Sequence, residues 1–370
     1  MAFPAVWLRR LPLVAGLVSL AGCHRAPDPV VIGFAFPVRN SHAAAVARDV
    51  LGRAAGDTGV AIRIVVNIGD SSDAPDVEVR RAEQFVAMRG LAGVVGHASS
   101  RGSLVAAPVY NEAGVVQLTP YATSRLLRTA GPWTFNLAPD DSVEGAFIGD
   151  FTAGRLRARR VTIYFVNDEY GLGLRDGVVA ELRHRGVAVI DQVSMDPTSD
   201  FPTLVAASLV RGTPDVVVVA GRQAETGRIA RLMWARGVRR AVVAGDGAQR
   251  VPELGDAAGP AADSVYVVAF WMPDAPDERS RAFSAAYRRV VGREPESADA
   301  MSYDALMLMA TAVREGGPEP AAVRRYLEEL GRSRPPYAGV TGQISFAADA
   351  PRRLLMAQLH GGRMQRVAWP

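Results

Sequence analysis

Short apolar runs alternate with segments of helical period along most of this chain. Residues 30–36, 62–68, 93–96, 115–118 and 133–137 read as strands. Between them, 43–55, 76–89 and 104–114 carry apolar residues at helical spacing; in 76–89, Val79, Ala82, Phe85 and Val86 fall on successive turns. A turn at 138–142 is placed to cap a helix over 143–156, and the pattern then restarts. Strands at 161–166, 187–193, 215–220, 241–244 and 265–270 alternate with helices at 174–185, 201–209 and 225–236, the last ending at Gly237, a good helix stop. Helices at 277–291, 298–315 and 320–330 follow. The tail reads as two antiparallel strands, 342–346 and 353–360, with a third toward the end. Alternation of this kind predicts α/β architecture, with parallel sheets covered by helices on both faces, in two halves of similar size.

The stretch 93–124 organises the first half. Two consecutive strands, 93–96 and 115–118, each run into a turn rich in small hydroxyl residues, and Gly114 breaks the helix between them. Ligands of open α/β sheets bind outside the carboxyl ends of the strands. A helix N-terminus there offers unpaired N–H groups to an anion. Ser99, Ser100, Ala122 and Thr123 are therefore candidates for one half of a small-molecule site. Capping of the following helices is the other use such hydroxyls have.

Composition adds little until the N-terminus. The chain of 370 residues is long enough for about two domains. At 49% hydrophobic and 22% charged residues it has an ordinary globular balance. The formal net charge is +4 with no lysine at all, so every cationic side chain is arginine. This reads as compositional bias, not as a nucleic-acid footprint. The single cysteine, Cys23, is more telling. Two arginines, Arg9 and Arg10, precede an apolar run at 11–20, and Leu20-Ala21-Gly22-Cys23 follows at once. That order resembles a bacterial lipoprotein signal peptide over 1–23, with Cys23 the lipidated mature N-terminus; an ordinary secreted protein cleaved nearby is the alternative. Residues 24–29 would be a tether. No later stretch has the ~18 uninterrupted apolar residues of a membrane span.

Several segments together resemble a known family, the type I periplasmic solute-binding proteins of the branched-chain amino-acid (leucine/isoleucine/valine) group of ABC transporters. They are Val94-Val95-Gly96-His97-Ala98-Ser99-Ser100, Tyr110-Asn111-Glu112-Ala113-Gly114-Val115, Leu118-Thr119-Pro120-Tyr121-Ala122-Thr123, the strand and turn from Val161 to Tyr170-Gly171-Leu172-Gly173, Tyr303-Asp304-Ala305, and the run from Gly339 to Phe346. The resemblance covers the chain from about Val30 onward. It implies two Rossmann-like lobes joined by a three-strand hinge near Ala138, Phe270 and Tyr337, with lobe 1 formed by 30–138 plus 271–336 and lobe 2 by 139–270 plus 337–370. It implies a monomer, exported to the periplasm or cell surface, that traps an amino acid or similar carboxylate by hinge closure and delivers it to a membrane permease. A ligand-sensing receptor of the same fold is the alternative.

Carried over by residue, Ser100 and Thr123 look like the hydroxyls that hold the ligand carboxylate, with Ala122 a backbone contact beside them. Tyr170 matches the aromatic laid over the ligand by the second lobe; otherwise it is a rim residue. Asp246 sits near the acidic position that pairs with a ligand ammonium, one residue off the family pattern; otherwise it is a turn residue between Gly245 and Gly247. Arg222 stands where an aromatic is common. If Arg222 or Arg101 turns inward, the ligand carries a second anionic or polar group; if both sit on the rim, it does not. Catalysis is not expected. The five histidines are scattered without metal-ligand spacing, Asp168 and Glu169 are adjacent in a turn and point apart, and no nucleophile elbow, phosphate loop or dinucleotide fingerprint occurs. No cofactor, metal or nucleic acid is implied.

Overall fold

Val216-Val217-Val218-Val219-Ala220 offers no polar position, and all five residues are buried. Such a strand fits only inside a sheet covered on both faces. The computed structural model describes residue 1 and residues 28–36, 41–53, 60–66, 74–347 and 353–369. The signal-peptide reading from residue 2 with Cys23, the ends of the strand at 62–68 and the helix at 43–55, and the tether apart from 28–29 lie outside them.

The first half runs β1 (Val30–Ala35), α1 (His42–Arg53), β2 (Ile62–Val66), α2 (Pro75–Val86), β3 (Leu91–Gly96), α3 (Ser100–Ala113), β4 (Val116–Thr119) and β5 (Thr134–Asn136). The second runs α4 (Asp141–Asp150), β6 (Arg160–Val166), α5 (Glu169–His184), β7 (Ala188–Met195), α6 (Phe201–Arg211), β8 (Val216–Ala220), α7 (Gln223–Ala235), β9 (Ala241–Ala244), α8 (Val251–Ala258) and β10 (Val265–Ala269). The chain then forms α9 (Glu278–Val291), α10 (Ser297–Thr311), α11 (Pro320–Glu329), β11 (Tyr337–Ala338), β12 (Gln343–Ile344), β13 (Leu355–His360) and β14 (Arg363–Val367).

Among the described residues two large sheets result, beside the two-stranded pair β11-β12. One has the order β2-β1-β3-β4-β5, all parallel. The other has the order β14-β13-β10-β9-β8-β6-β7; β7, β6, β8, β9 and β10 are parallel, and β13 and β14 are antiparallel additions. The parallel part of the second sheet repeats the strand order of the first, so each lobe has a topological switch point, β1/β3 in one and β6/β8 in the other. The two-lobed α/β fold is as expected.

The differences are local. The helix expected over 143–156 begins two residues earlier, capped by Asp140, and its last turn, Phe151–Arg155, widens to a π-helix. The segment after Gly247 contains α8, which Pro252 and Gly255 hid from the periodicity. The two tail strands expected to be antiparallel do not pair with each other. Only Gln343–Ile344 of the first is extended, and it pairs with Tyr337–Ala338; β13 adds to the exposed edge of β10, where its buried Met356, Ala357 and Leu359 complete the core.

The chain passes between the sheets three times, and one polar side chain pins each passage. After β5, Asn136 Oδ1 accepts from Thr119 Oγ1 at 3.0 Å and from the Ala138 N–H at 3.2 Å. After β10, Ser297 Oγ, at the start of α10, accepts from the N–H groups of Phe270 (3.0 Å) and Trp271 (3.2 Å). Before β12, the buried Asp304 carboxylate accepts from the N–H groups of Val340 (2.8 Å) and Thr341 (2.7 Å) and from Thr341 Oγ1 (2.6 Å). Tyr303-Asp304-Ala305 and Gly339-Val340-Thr341, far apart in sequence, are thus two halves of one contact.

In the second lobe α4 and α5 approach through glycines. A Cβ on Gly145 would lie 2.6 Å from the backbone of Gly177 and Val178, and one on Gly177 would lie 2.6 Å from the Asp141 carbonyl. Gly145→Ala should therefore cost about 1–3 kcal/mol through forced separation of the helices. Gly255→Ala on α8, where an added methyl meets nothing within 4 Å, should leave stability unchanged or raise it slightly. Thermal melts of the two variants check this; equal effects would show that glycine contact does not set the helix spacing.

Candidate functional site: a cleft between two sheets

The carboxyl ends of both sets of strands face one cavity of about 200 Å³. From the first lobe come Ala98, Ser99, Ser100, Tyr121 and Thr123, on the turns after β3 and β4; from the second come Tyr170, Arg222, Asp246 and Gly247, on the turns after β6, β8 and β9.

On the first-lobe side, Ser99 caps α3, its Oγ accepting from the Gly102 N–H at 3.0 Å. Ser100 Oγ accepts from the N–H groups of Thr123 (3.3 Å) and Ser124 (3.2 Å), which ties the turn after β3 to the turn after β4. A buried network stiffens this wall from behind. His97 is bonded through Nδ1 to Glu78 and through Nε2 to the Tyr110 hydroxyl (3.0 Å), while Arg81 pairs with Glu78 at 2.7 Å. Burial lowers the His97 pKa, with Glu78 acting the other way.

The second-lobe wall is acidic. Tyr170 stands in the first turn of α5, its hydroxyl accepting from the Gly247 N–H at 3.0 Å. A Cβ on Gly245 would fall 2.6 Å from that hydroxyl, so glycine is required for the strand end to pass beneath the ring. Glu144 Oε1, from α4, accepts from the Asp246 N–H at 2.6 Å. Among the described residues, Asp246 Oδ1, Glu144 Oε2 and both carboxylate oxygens of Asp141 are buried without a hydrogen-bond partner. Burial pushes the Asp246 carboxyl up to about 6, against the pull of the Tyr170 hydroxyl and the Arg222 charge. Burial, then the neighbouring acids, pushes Asp141 up to about 8, with the Thr123 hydroxyl opposing, and Glu144 well above the carboxylate range, with Asp246 its chief charged neighbour. Crowding and burial thus favour the protonated forms of Asp141 and Glu144 most, and of Asp246 less.

Of the residues singled out from sequence, Ser99, Ser100, Thr123, Tyr170, Arg222 and Asp246 line the cavity, whereas Ala122, 2% exposed, packs away from it. The Ala122 side chain is buried between two residues that face the gap, so any contact it makes with a ligand is through its backbone, as the resemblance implies. Both arginines are already paired. Arg222 meets Asp168 at 2.8 Å and lies 5.8 Å over the Tyr170 ring. Arg101 sits on the rim and meets Glu169 at 2.9 Å, an ion pair that crosses from one lobe to the other. Adjacent Asp168 and Glu169 do point to different partners, but from the N-terminus of α5 instead of a turn. The sequence reading missed Asp141 and Glu144, because Asp140-Asp141-Ser142 looked like a helix cap; only Asp140 caps, accepting from the Ser142 N–H at 3.0 Å. It also missed the far end of the cavity, where His42, Gln249, Phe270, Arg293, Glu296 and Ser302 meet.

Comparison with known proteins gives the same picture. The chain is 28% identical to Leu/Ile/Val-binding protein homolog 1 of Brucella abortus over 288 residues, covering 77% of this chain and 75% of the relative. It is 28% identical to an amino acid binding protein of Pseudomonas aeruginosa over 334 residues, covering 86% and 87%. Its fold superposes on the branched-chain amino acid transporter substrate binding protein LivJ from Streptococcus pneumoniae, solved with isoleucine, with a TM-score of 0.82 at 24% identity over 92% of this chain and 99% of that one. A solute binding protein of an ABC transporter from R. palustris, solved with benzoate, gives 0.78 at 15% identity over 92% and 95%. The family described as periplasmic binding protein matches residues 37–359. With two lobes of like strand order facing one cavity and this match over most of its length, the chain belongs to the periplasmic binding protein family and carries the type I fold.

Proposed function

We propose that this chain is the extracytoplasmic substrate-binding component of an ABC transporter, holding an amino acid or a related small carboxylate between its lobes and handing it to a membrane permease. One observation carries the reading: across a shared cavity, a helix N-terminus with the Ser100 and Thr123 hydroxyls faces the unpartnered carboxylate oxygen of Asp246. The first side suits a carboxylate, and the second suits an ammonium. The names of the relatives point to the same ligand class.

The lobes divide at the three pinned passages, 30–138 with 271–336 against 139–270 with 337–370. A ligand that touches both lobes stabilises the closed arrangement by its differential contacts alone. Tyr170 lies over the ligand from lobe 2, and Arg222 orients Tyr170 and Asp168 without spending its charge on the ligand. Export follows from the family, with Cys23 as a lipid anchor on the membrane surface and the protein a monomer.

Thr123→Val and Asp246→Asn should each weaken binding of the cognate amino acid by about 10- to 100-fold, since each removes a hydrogen bond to a charged group worth about 1.5–3 kcal/mol. Calorimetric titration measures it; wild-type affinity in both variants would place the ligand elsewhere.

The electrostatics add a pH dependence. Asp246 is protonated below about 6 in the ligand-free cleft, and an ammonium binds its ionised form. Affinity should therefore hold at pH 7–8 and fall by up to about tenfold per pH unit below 6, and Asp246→Asn should flatten the profile. A flat profile in the wild type would remove Asp246 from the ammonium site. Separately, Cys23→Ser should move the protein from the membrane fraction to the soluble or unprocessed fraction; unchanged membrane association would rule out the lipid anchor.

A further inference from the structure

The end of the cavity away from Asp246 and Thr123 is not built for hydrocarbon. Its wall comes from α1, the turn after β9, the passage after β10 and the N-terminal half of α10, and includes His42, Gln249, Phe270, Arg293, Glu296 and Ser302. Phe270 is the only large apolar side chain among these six. A branched aliphatic group pressed into this end would strip water from the polar groups and return no hydrogen bond to them, which is costly in a closed cleft.

The arginines here are already paired, and Glu296 is held by backbone donors. Arg293 pairs with Asp299 at 3.3 Å, approaches His42 Nδ1 at 3.4 Å and stacks 5.2 Å over the Tyr287 ring. Glu296 is held in the reciprocal cap of α10 with Asp299 and accepts from the Val251 N–H at 3.4 Å. Arg250 pairs with Glu253 at 3.0 Å. An anionic ligand end would have to draw Arg293 or Arg250 away from its acid, and a cationic one would have to lie beside these two arginines in the same wall. Gln249 is different. It is 9% exposed, it lines the cavity, and its Oε1 is buried with no hydrogen-bond partner among the described residues. A buried amide oxygen left in that state calls for a donor.

We propose that the ligand's distal group is a neutral hydrogen-bonding group of the carboxamide type, donating to Gln249 Oε1, on a short methylene stem that runs past Phe270 and Ala298. The cleft then selects an amino acid with an amide side chain over its branched-chain isostere. The specificity-determining residue is Gln249, and the inference rests on the amino-acid reading of the same site.

The test is a titration of the full mature protein with asparagine, glutamine, leucine, isoleucine and methionine at pH 7.5, with Gln249→Leu and Thr123→Val alongside. The expected result is that asparagine or glutamine binds the wild type at least tenfold tighter than its apolar counterpart, leucine or methionine. Gln249→Leu should shrink or invert that ratio, while Thr123→Val weakens amide and apolar ligands alike. Leucine or isoleucine binding the wild type more tightly than either amide would overturn the amide assignment and leave the amino-acid site standing. A ratio unchanged in Gln249→Leu would likewise overturn it, by removing Gln249 from the distal contact. Failure of all five to bind would overturn the amide assignment together with the amino-acid form of the reading, and a related small carboxylate would then be the ligand class. The wild-type ratio needs no variant, so a Gln249→Leu protein that does not fold leaves the test decisive.

Discussion

A buried carboxylate oxygen without a partner is the least comfortable atom in this protein, and the cleft is arranged around it. Asp246 Oδ1 is shielded from water yet accepts no hydrogen bond. Behind it, Glu144 and Asp141 are buried as deeply and lack partners for three more oxygens. Desolvation alone makes the charged forms expensive. Burial limits that cost by favouring protons on Asp141 and Glu144, whereas Asp246 is the acid that the proposed ligand ammonium would meet in its ionised form.

The opposite wall is made rigid for a complementary reason. Neutral hydroxyls and backbone N–H groups hold an anion well only if they already point at it. Ser100 is bonded to the turn after β4, Ser99 closes the first turn of α3, and His97 is locked between Glu78 and Tyr110 beneath them. One wall thus tolerates unmet demand and the other has its geometry fixed in advance. Between them, the passages pinned by Asn136, Ser297 and Asp304 keep the two walls in register. Each pin is a side chain accepting two or three hydrogen bonds from backbone N–H or hydroxyl donors, strong enough to hold a passage yet confined to a few residues that can absorb a rotation between the lobes.

The rim reinforces the picture. Arg101 and Glu169 link α3 to α5 across the mouth of the cleft, both partly in solvent. Exposed pairs of this kind contribute little to stability, so this one is a weak link between the lobes. Arg222, by contrast, is used up within its own lobe on Asp168 and the face of Tyr170. A single arginine-rich composition therefore places some cations as structural braces and leaves others to decorate the surface, and a count of charges cannot tell which.

Much of this was legible in the chain before it was folded. Periodicity gave the alternating strands and helices because core burial forces one period on each, and the paired hydroxyl turns gave Ser99, Ser100 and Thr123 because strand ends in parallel sheets lie together. Local spacing could not distinguish Asp141 from its capping neighbour Asp140, turn Ala122 inward, or foresee that β13 would join the edge of β10 instead of pairing with 342–346. Nor could it bring Gln249, Arg293 and Glu296 to one end of a cavity, or Asp304 to the turn at Val340–Thr341. The pattern of polar and apolar residues is a property of single segments and so survives in one dimension. The far wall of the cleft, the pairing of each arginine and the dryness of each carboxylate arise from contacts between segments dozens to hundreds of residues apart, and only tertiary structure decides them.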